Sequence, residues 1–145
     1  MSTIIDQAVS AIVSALQSAP AVSASVGRVS LRPLSATLSQ AVIVRPVQSE
    51  VGEASMFSSM PLSWTTSIAV ECYARSTGST APDQSVDALL ESVYARLMTD
   101  PTLGGVVIGL QPQALHYDFD ADAEKTACAT LVFNARHRAS AGTLS

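Results

Sequence analysis

Trp64-Thr-Thr-Ser-Ile-Ala-Val-Glu-Cys-Tyr-Ala-Arg75 is the stretch on which the fold of this 145-residue chain turns. Trp64, Thr66, Ile68, Val70, Cys72 and Ala74 fall on one side of an extended chain; Thr65, Ser67, Ala69, Glu71, Tyr73 and Arg75 fall on the other. Successive side chains of a strand point to opposite faces, so the stretch reads as a strand with one apolar face. Thr126–Arg138 has the same character, with Leu131, Phe133, Ala135 and His137 alternating against Thr130, Val132, Asn134 and Arg136. Between the two lies a helix from about Pro82 to Met98. Its apolar stripe is Val86, Leu90, Val93 and Leu97, flanked by Leu89, Tyr94 and Met98. Pro82 suits the first turn, Asp83 and Asp87 suit the positive end of the helix dipole, and Asp100-Pro101 stops it.

Working outward, Ile5, Val9, Ile12 and Leu16 recur at helical steps, with Ala8 and Val13 widening the stripe. Thr3 and Asp6 fit a capping box with the shorter acid, and Pro20 marks the end. Ala19-Pro20-Ala21 has the small residues of a cleavage region, but no positive charge precedes the apolar stretch, so the segment reads as an amphipathic helix. Gly27–Leu34 alternates weakly. Gln40–Val47 is a strand ended by Arg45-Pro46, because proline cannot donate to a ladder. Gln48–Leu62 has no period and reads as a long loop. Gly104-Gly105 leads into Val106-Val107-Ile108, a short strand of the buried type. Leu110–Asp118 continues the sheet after an irregularity at Gly109 and Pro112. Asp118–Lys125 is an acidic turn and Ala139–Ser145 a polar tail. The pattern predicts one α+β domain over residues 1–145, a mainly antiparallel sheet covered by two helices.

Composition narrows the function. Charged residues make up 14% of the chain, well below the usual quarter, while apolar residues reach 48%. The mean hydropathy of +0.31 predicts that a partner covers some apolar surface. A net charge of −4 argues against a free-standing nucleic-acid binder. The charge-free stretches are broken by polar residues, so no membrane helix is expected. Cys72 and Cys128 lack zinc or redox spacing and read as reduced, buried hydrophobes of a protein made in a cytoplasm.

Catalytic patterns are sparse. His116 and His137 are the two histidines, and no Gly-x-Ser-x-Gly elbow is present. His137, between Arg136 and Arg138, reads as a surface or interface residue. Asp118-Phe-Asp-Ala-Asp-Ala-Glu124 begins like a calcium loop, but the sixth and twelfth positions hold Ala123 and Ala129 where Gly and Glu are required. A small hydrolase or calcium-binding protein using His116 and these acids is the distant alternative. No catalytic residue, metal ligand or cofactor is assigned, and the chain is expected not to be an enzyme. Glu71 and Arg75 share one strand face, as do Arg136 and Arg138; either they keep an edge soluble or they pair across a subunit seam.

From Trp64 to Leu144 the chain resembles a known family. The motifs are Ile68-Ala-Val-Glu-Cys-Tyr-Ala-Arg75, the helix containing Val93-Tyr-Ala-Arg-Leu-Met98, then Asp100-Pro-Thr-Leu-Gly-Gly105. Leu115-His-Tyr-Asp-Phe-Asp120 and Ala129-Thr-Leu-Val-Phe-Asn-Ala-Arg-His-Arg138 follow. Together they look like the tail terminator, or tail completion, proteins of long-tailed bacteriophages, of which the minor tail protein U of lambdoid phages is the familiar member. The resemblance implies a tail-tube-like fold and a homohexameric ring on the tip of the tube. The ring would stop polymerisation and dock the head connector, within the neck region of a virion assembled in the host cytoplasm. Its partners would be the tail tube protein and the connector or stopper protein, with DNA passing through the ring without sequence readout. A head–tail stopper is the alternative part. Met56, Phe57 and Met60 in the long loop, with Arg75, Arg136 and Arg138, are the expected ring or tube contacts.

Overall fold

The structure, a computed structural model, describes residues 3–23, 25–28, 40–52, 62–75, 81–119, 126–139 and 144. Seven elements follow in order: α1 (Ile4–Gln17), β1 (Val26–Arg28), β2 (Gln40–Val51), β3 (Leu62–Arg75), α2 (Pro82–Thr99), β4 (Gly109–Phe119) and β5 (Thr126–Ala139). The strands form one five-stranded sheet in the order β1-β2-β3-β5-β4. β1 runs parallel to β2, and every other neighbouring pair is antiparallel. The expected α+β class, with two helices on a mainly antiparallel sheet, is what the chain adopts.

β3 and β5 are the centre. They pair without a slip from Leu62 opposite Ala139 to Arg75 opposite Thr126. Ile68, Val70, Cys72 and Ala74 from β3 and Ala127, Ala129, Leu131, Phe133 and Ala135 from β5 are buried on one face. Both helices pack there, α1 with Ala8, Val9, Ile12 and Leu16 and α2 with Val86, Leu89, Val93 and Leu97, and all join one core. Phe133 is fully buried and stacks against Tyr94 of α2, with ring centroids 6.4 Å apart. Among the described residues, the opposite face of the sheet carries no helix.

Caps fix the helix ends. Thr3 Oγ1 accepts the amide of Asp6 at 3.0 Å, the expected N-cap of α1. α1 has no basic residue in its last turn. Arg96 of α2 supplies the charge instead, donating to the carbonyl oxygens of Ala15 and Ser18 at 2.9 Å each and of Pro20 at 2.6 Å. The Ala19–Pro20 peptide is cis.

Three expectations are corrected. β2 does not end at Arg45-Pro46 but runs to Val51, so residues 48–51 of the expected loop are strand, as is Leu62 in β3, and residues 53–61 lie outside the described residues. A register shift between Pro46 and Gln48 breaks the alternation, and β1 covers only Val42–Val44, so Pro46 lies where β2 has no described outer neighbour. Val106-Val107-Ile108 is not a strand. Asp100 accepts from Thr102 Oγ1 at 2.7 Å and from the Gly104 amide at 2.8 Å, and Leu103, Gly104 and Gly105 all have positive φ. These constraints close a turn that buries Leu103 and Val107 and leaves Ile108 exposed. Ala139, expected in the polar tail, is still in β5. The stretch Val29–Leu34 and residues 120–125 of the acidic turn lie outside the described residues.

Phe133→Ala should lower the unfolding free energy by about 3–5 kcal/mol, the usual cost of removing a buried ring. Gly105→Ala, at φ +92°, should cost about 1 kcal/mol or more through backbone strain alone. Chemical denaturation of both variants reads the two values.

Candidate assembly surface

Of the expected contact residues, the described ones, Arg75, Arg136 and Arg138, do not form one patch. Met56, Phe57 and Met60 lie outside the described residues. Arg136 and Arg138 point from β5 into solvent on the face without helices, opposite Thr65 and Ser63 of β3. Arg75 shares that face but is half-buried and engaged. It pairs with Thr126, ten positions along β5 from Arg136, so roughly 33 Å separates the two at about 3.3 Å per residue. Glu71 is also taken within the chain: Arg45 Nε donates to its Oε1 at 2.9 Å, and Tyr73 donates its hydroxyl to Oε2 at 3.1 Å. Burial is the first cause that pushes the Tyr73 hydroxyl well above its ordinary pKa, with Cys128 and Glu71 adding to it.

His137 is corrected outright. It is 2% exposed, on the core face, and not at the surface. Period two places it there with Ala135 and Ala139, whatever its arginine neighbours suggest. Its Nε2 lies 2.8 Å from Thr66 Oγ1, which lies 2.8 Å from Ser49 Oγ, giving a polar row across β5, β3 and β2. Among the described residues, His137 Nδ1 and Trp64 Nε1 are buried without a hydrogen-bond partner, and the two residues face each other across the β3–β5 pair. Burial lowers the pKa of His137. The cysteines divide: Cys72 is in the core, its thiol pushed up to about 12 by burial, while Cys128 is half-buried on the opposite face. His116 is exposed on β4. Among the described residues, no three His, Cys, Asp or Glu side chains cluster as a metal site, and no helix is long and apolar enough to cross a membrane.

A second surface was not singled out from the sequence. α2 stands off the edge strand β4, and the groove between them has a volume of about 550 Å³. Leu90 and Tyr94 form one wall, Pro112, Ala114 and Leu115 the other, and Leu131 the floor. Asp87 and Glu91 line its rim. A second depression continues past Asp83, Gln84 and Asp87 to Tyr117. Tyr117 is 53% exposed, Tyr94 40% and Leu115 39%, large apolar surface for a chain this size. Asp83, Asp87 and Glu91 recur every four residues, so they stand on one side of α2. That spacing was the available signal, although the first two also suit the dipole.

Comparison with known proteins adds the fold. No family model matches the chain, and no curated protein matches it in sequence. Among solved structures, it is similar to a chain described as "Virion of native gene transfer agent (GTA) particle". The likeness covers 90% of this chain and 93% of that one, with a TM-score of 0.53 and 12% sequence identity. At that identity the likeness establishes a shared fold.

The histidine row gives a pH dependence. The unfolded chain takes up a proton near the ordinary histidine pKa of 6.5, and the folded chain resists it until a lower pH. The contribution of neutral His137 is therefore complete above the unfolded pKa and is lost as pH falls below it. Denaturant titrations at several pH values should show a decline in stability on acidification that is shallower in His137→Leu than in the wild type.

Proposed function

We propose that the chain is a structural virion protein of a tailed, phage-like particle, and specifically a tail terminator. In this reading it forms a six-membered ring on the end of the tail tube, stops its growth and presents the surface that the head connector binds. The fold likeness to a gene transfer agent virion chain, spanning nearly all of both chains, is the observation that carries the virion reading. The terminator assignment rests further on the sequence resemblance, above all Asp100-Pro-Thr-Leu-Gly-Gly105 and the basic end of β5.

The structure gives those motifs mechanical parts. Asp100 organises the turn between α2 and β4, and hydrogen bonds from Thr102 and Gly104 lower its pKa. That turn sets the direction in which the edge strand leaves the helix. β5 then carries Arg136 and Arg138 out beside β3, on the face without helices. A ring subunit needs a rigid body with two unlike surfaces. The single core beneath α1 and α2 supplies the body. The acidic groove and the basic strand end supply two surfaces of opposite charge.

Electron microscopy of lysates from a null allele tests the reading. Tails of uncontrolled length with unattached heads are the expected result. Tails of normal length beside free heads would point to a stopper in place of a terminator. Normal infectious particles would end the virion reading.

A further inference from the structure

Arg136 and Arg138 are exposed and make no ion pair among the described residues; Asp83, Asp87 and Glu91 are likewise exposed and unpaired. The other described arginines are committed. Arg28 pairs with Asp6, Arg45 with Glu71, Arg96 caps α1, and Arg75 is engaged. The two unpaired groups cannot meet within one chain. α2 lies over the core face of the sheet, whereas Arg136 and Arg138 project from the other face, since Ala135, His137 and Ala139 between and beside them are buried on the core face. The start of α2, with Asp83 and Asp87, also lies toward the other end of β5. Tyr117, next to Asp83 and Asp87, pairs with Ala129, seven positions along β5 from Arg136.

Two complementary charges on opposite faces describe a heterologous contact, in which one patch of a molecule binds a different patch of its copy. We infer that copies of this chain bind head to tail, the α2–β4 groove of one copy receiving the strand end with Arg136 and Arg138 of the next. Leu90, Tyr94 and Leu115 form the apolar centre, and Asp87 and Glu91 on the rim pair with the two arginines. Aromatic anchors with charges at the rim are the usual anatomy of such a contact. Simple strand addition to the β4 edge is disfavoured, because Pro112 lacks an amide proton and the register shift between Pro112 and Ala114 breaks the edge midway. The contact rests on the ring reading and specifies which surfaces meet in it.

The test uses the purified full-length chain and sedimentation velocity. The wild type should assemble at low salt and weaken as salt rises from about 0.1 to 1 M. The variant Arg136→Glu with Arg138→Glu should remain monomeric, and so should Asp87→Arg with Glu91→Arg. Mixed in equal amounts, the two variants should assemble, because every contact in an alternating ring again joins opposite charges. That rescue cannot come from chains that failed to fold. Assembly indifferent to both reversals overturns the contact and leaves the terminator reading intact, since the null-allele phenotype is read independently. A wild-type chain that stays monomeric at low salt overturns it also. So does a groove that binds the tail tube protein in place of a second copy, with binding lost on Asp87→Arg and Glu91→Arg.

Discussion

The unbroken antiparallel pairing of β3 with β5 decides where every other part can go. A one-residue slip would exchange the faces and put Thr130, Asn134 and Arg136 under the helices in place of Leu131, Phe133 and Ala135. The pairing is secured by what it buries: Ile68 faces Phe133, Val70 faces Leu131 and Cys72 faces Ala129. The flanking strands are less regular. Both β2 and β4 contain a register shift, and both shifts lie next to a proline, Pro46 and Pro112. The regular pair forms the rigid middle, and the irregular strands bend around it. Small side chains suit this arrangement. With aromatics at only 5% of the chain, the core closes through Ala, Val and Leu, and α1 and α2 lie close on the sheet.

The two ends of the sheet differ in kind. The end at Thr126 is the end where α2 starts, with its acids. The other end holds the row Ser49–Thr66–His137 on the core face and Arg136 and Arg138 on the reverse. There the core stops being apolar. Two buried nitrogens without hydrogen bonds among the described residues, on Trp64 and His137, are a cost that a domain seldom carries without some return. The residues next in the chain after Gly52, and those just before Leu62, belong to the segment with Met56, Phe57 and Met60, so the polar end is also where that segment leaves and rejoins the sheet.

Much of this was legible in the sequence. β3, β5 and α2 are long, and their periods repeat often enough to decide both type and facing. The exposure of Arg136 and Arg138 follows from the same parity. The second half of β2 was not legible because one extra residue after Pro46 destroys a period of two. Val106–Ile108 misleads because an apolar run carries composition but no backbone information, whereas Asp100 and the positive φ angles commit that backbone to a turn. For His137, two flanking arginines outweighed the alternation that buries it. The groove was invisible for another reason. It exists only because α2 and β4, brought together by the turn at Asp100, leave a gap between them.

The cap that Arg96 places on α1 has a consequence for how the molecule comes together. The carbonyls at the end of a helix are normally satisfied from within the same helix or its next turn. Here the carbonyls of Ser18 and Pro20, and that of Ala15, to which Ser18 Oγ also donates, accept from a guanidinium encoded some eighty residues later. α1 is therefore made before α2 and is completed only when α2 has joined it. Until α2 exists, the last turn has only its local hydrogen bonds and the stripe of Val9, Ile12 and Leu16 lacks one of the surfaces it packs on, so a nascent chain released early would display part of that stripe to its neighbours.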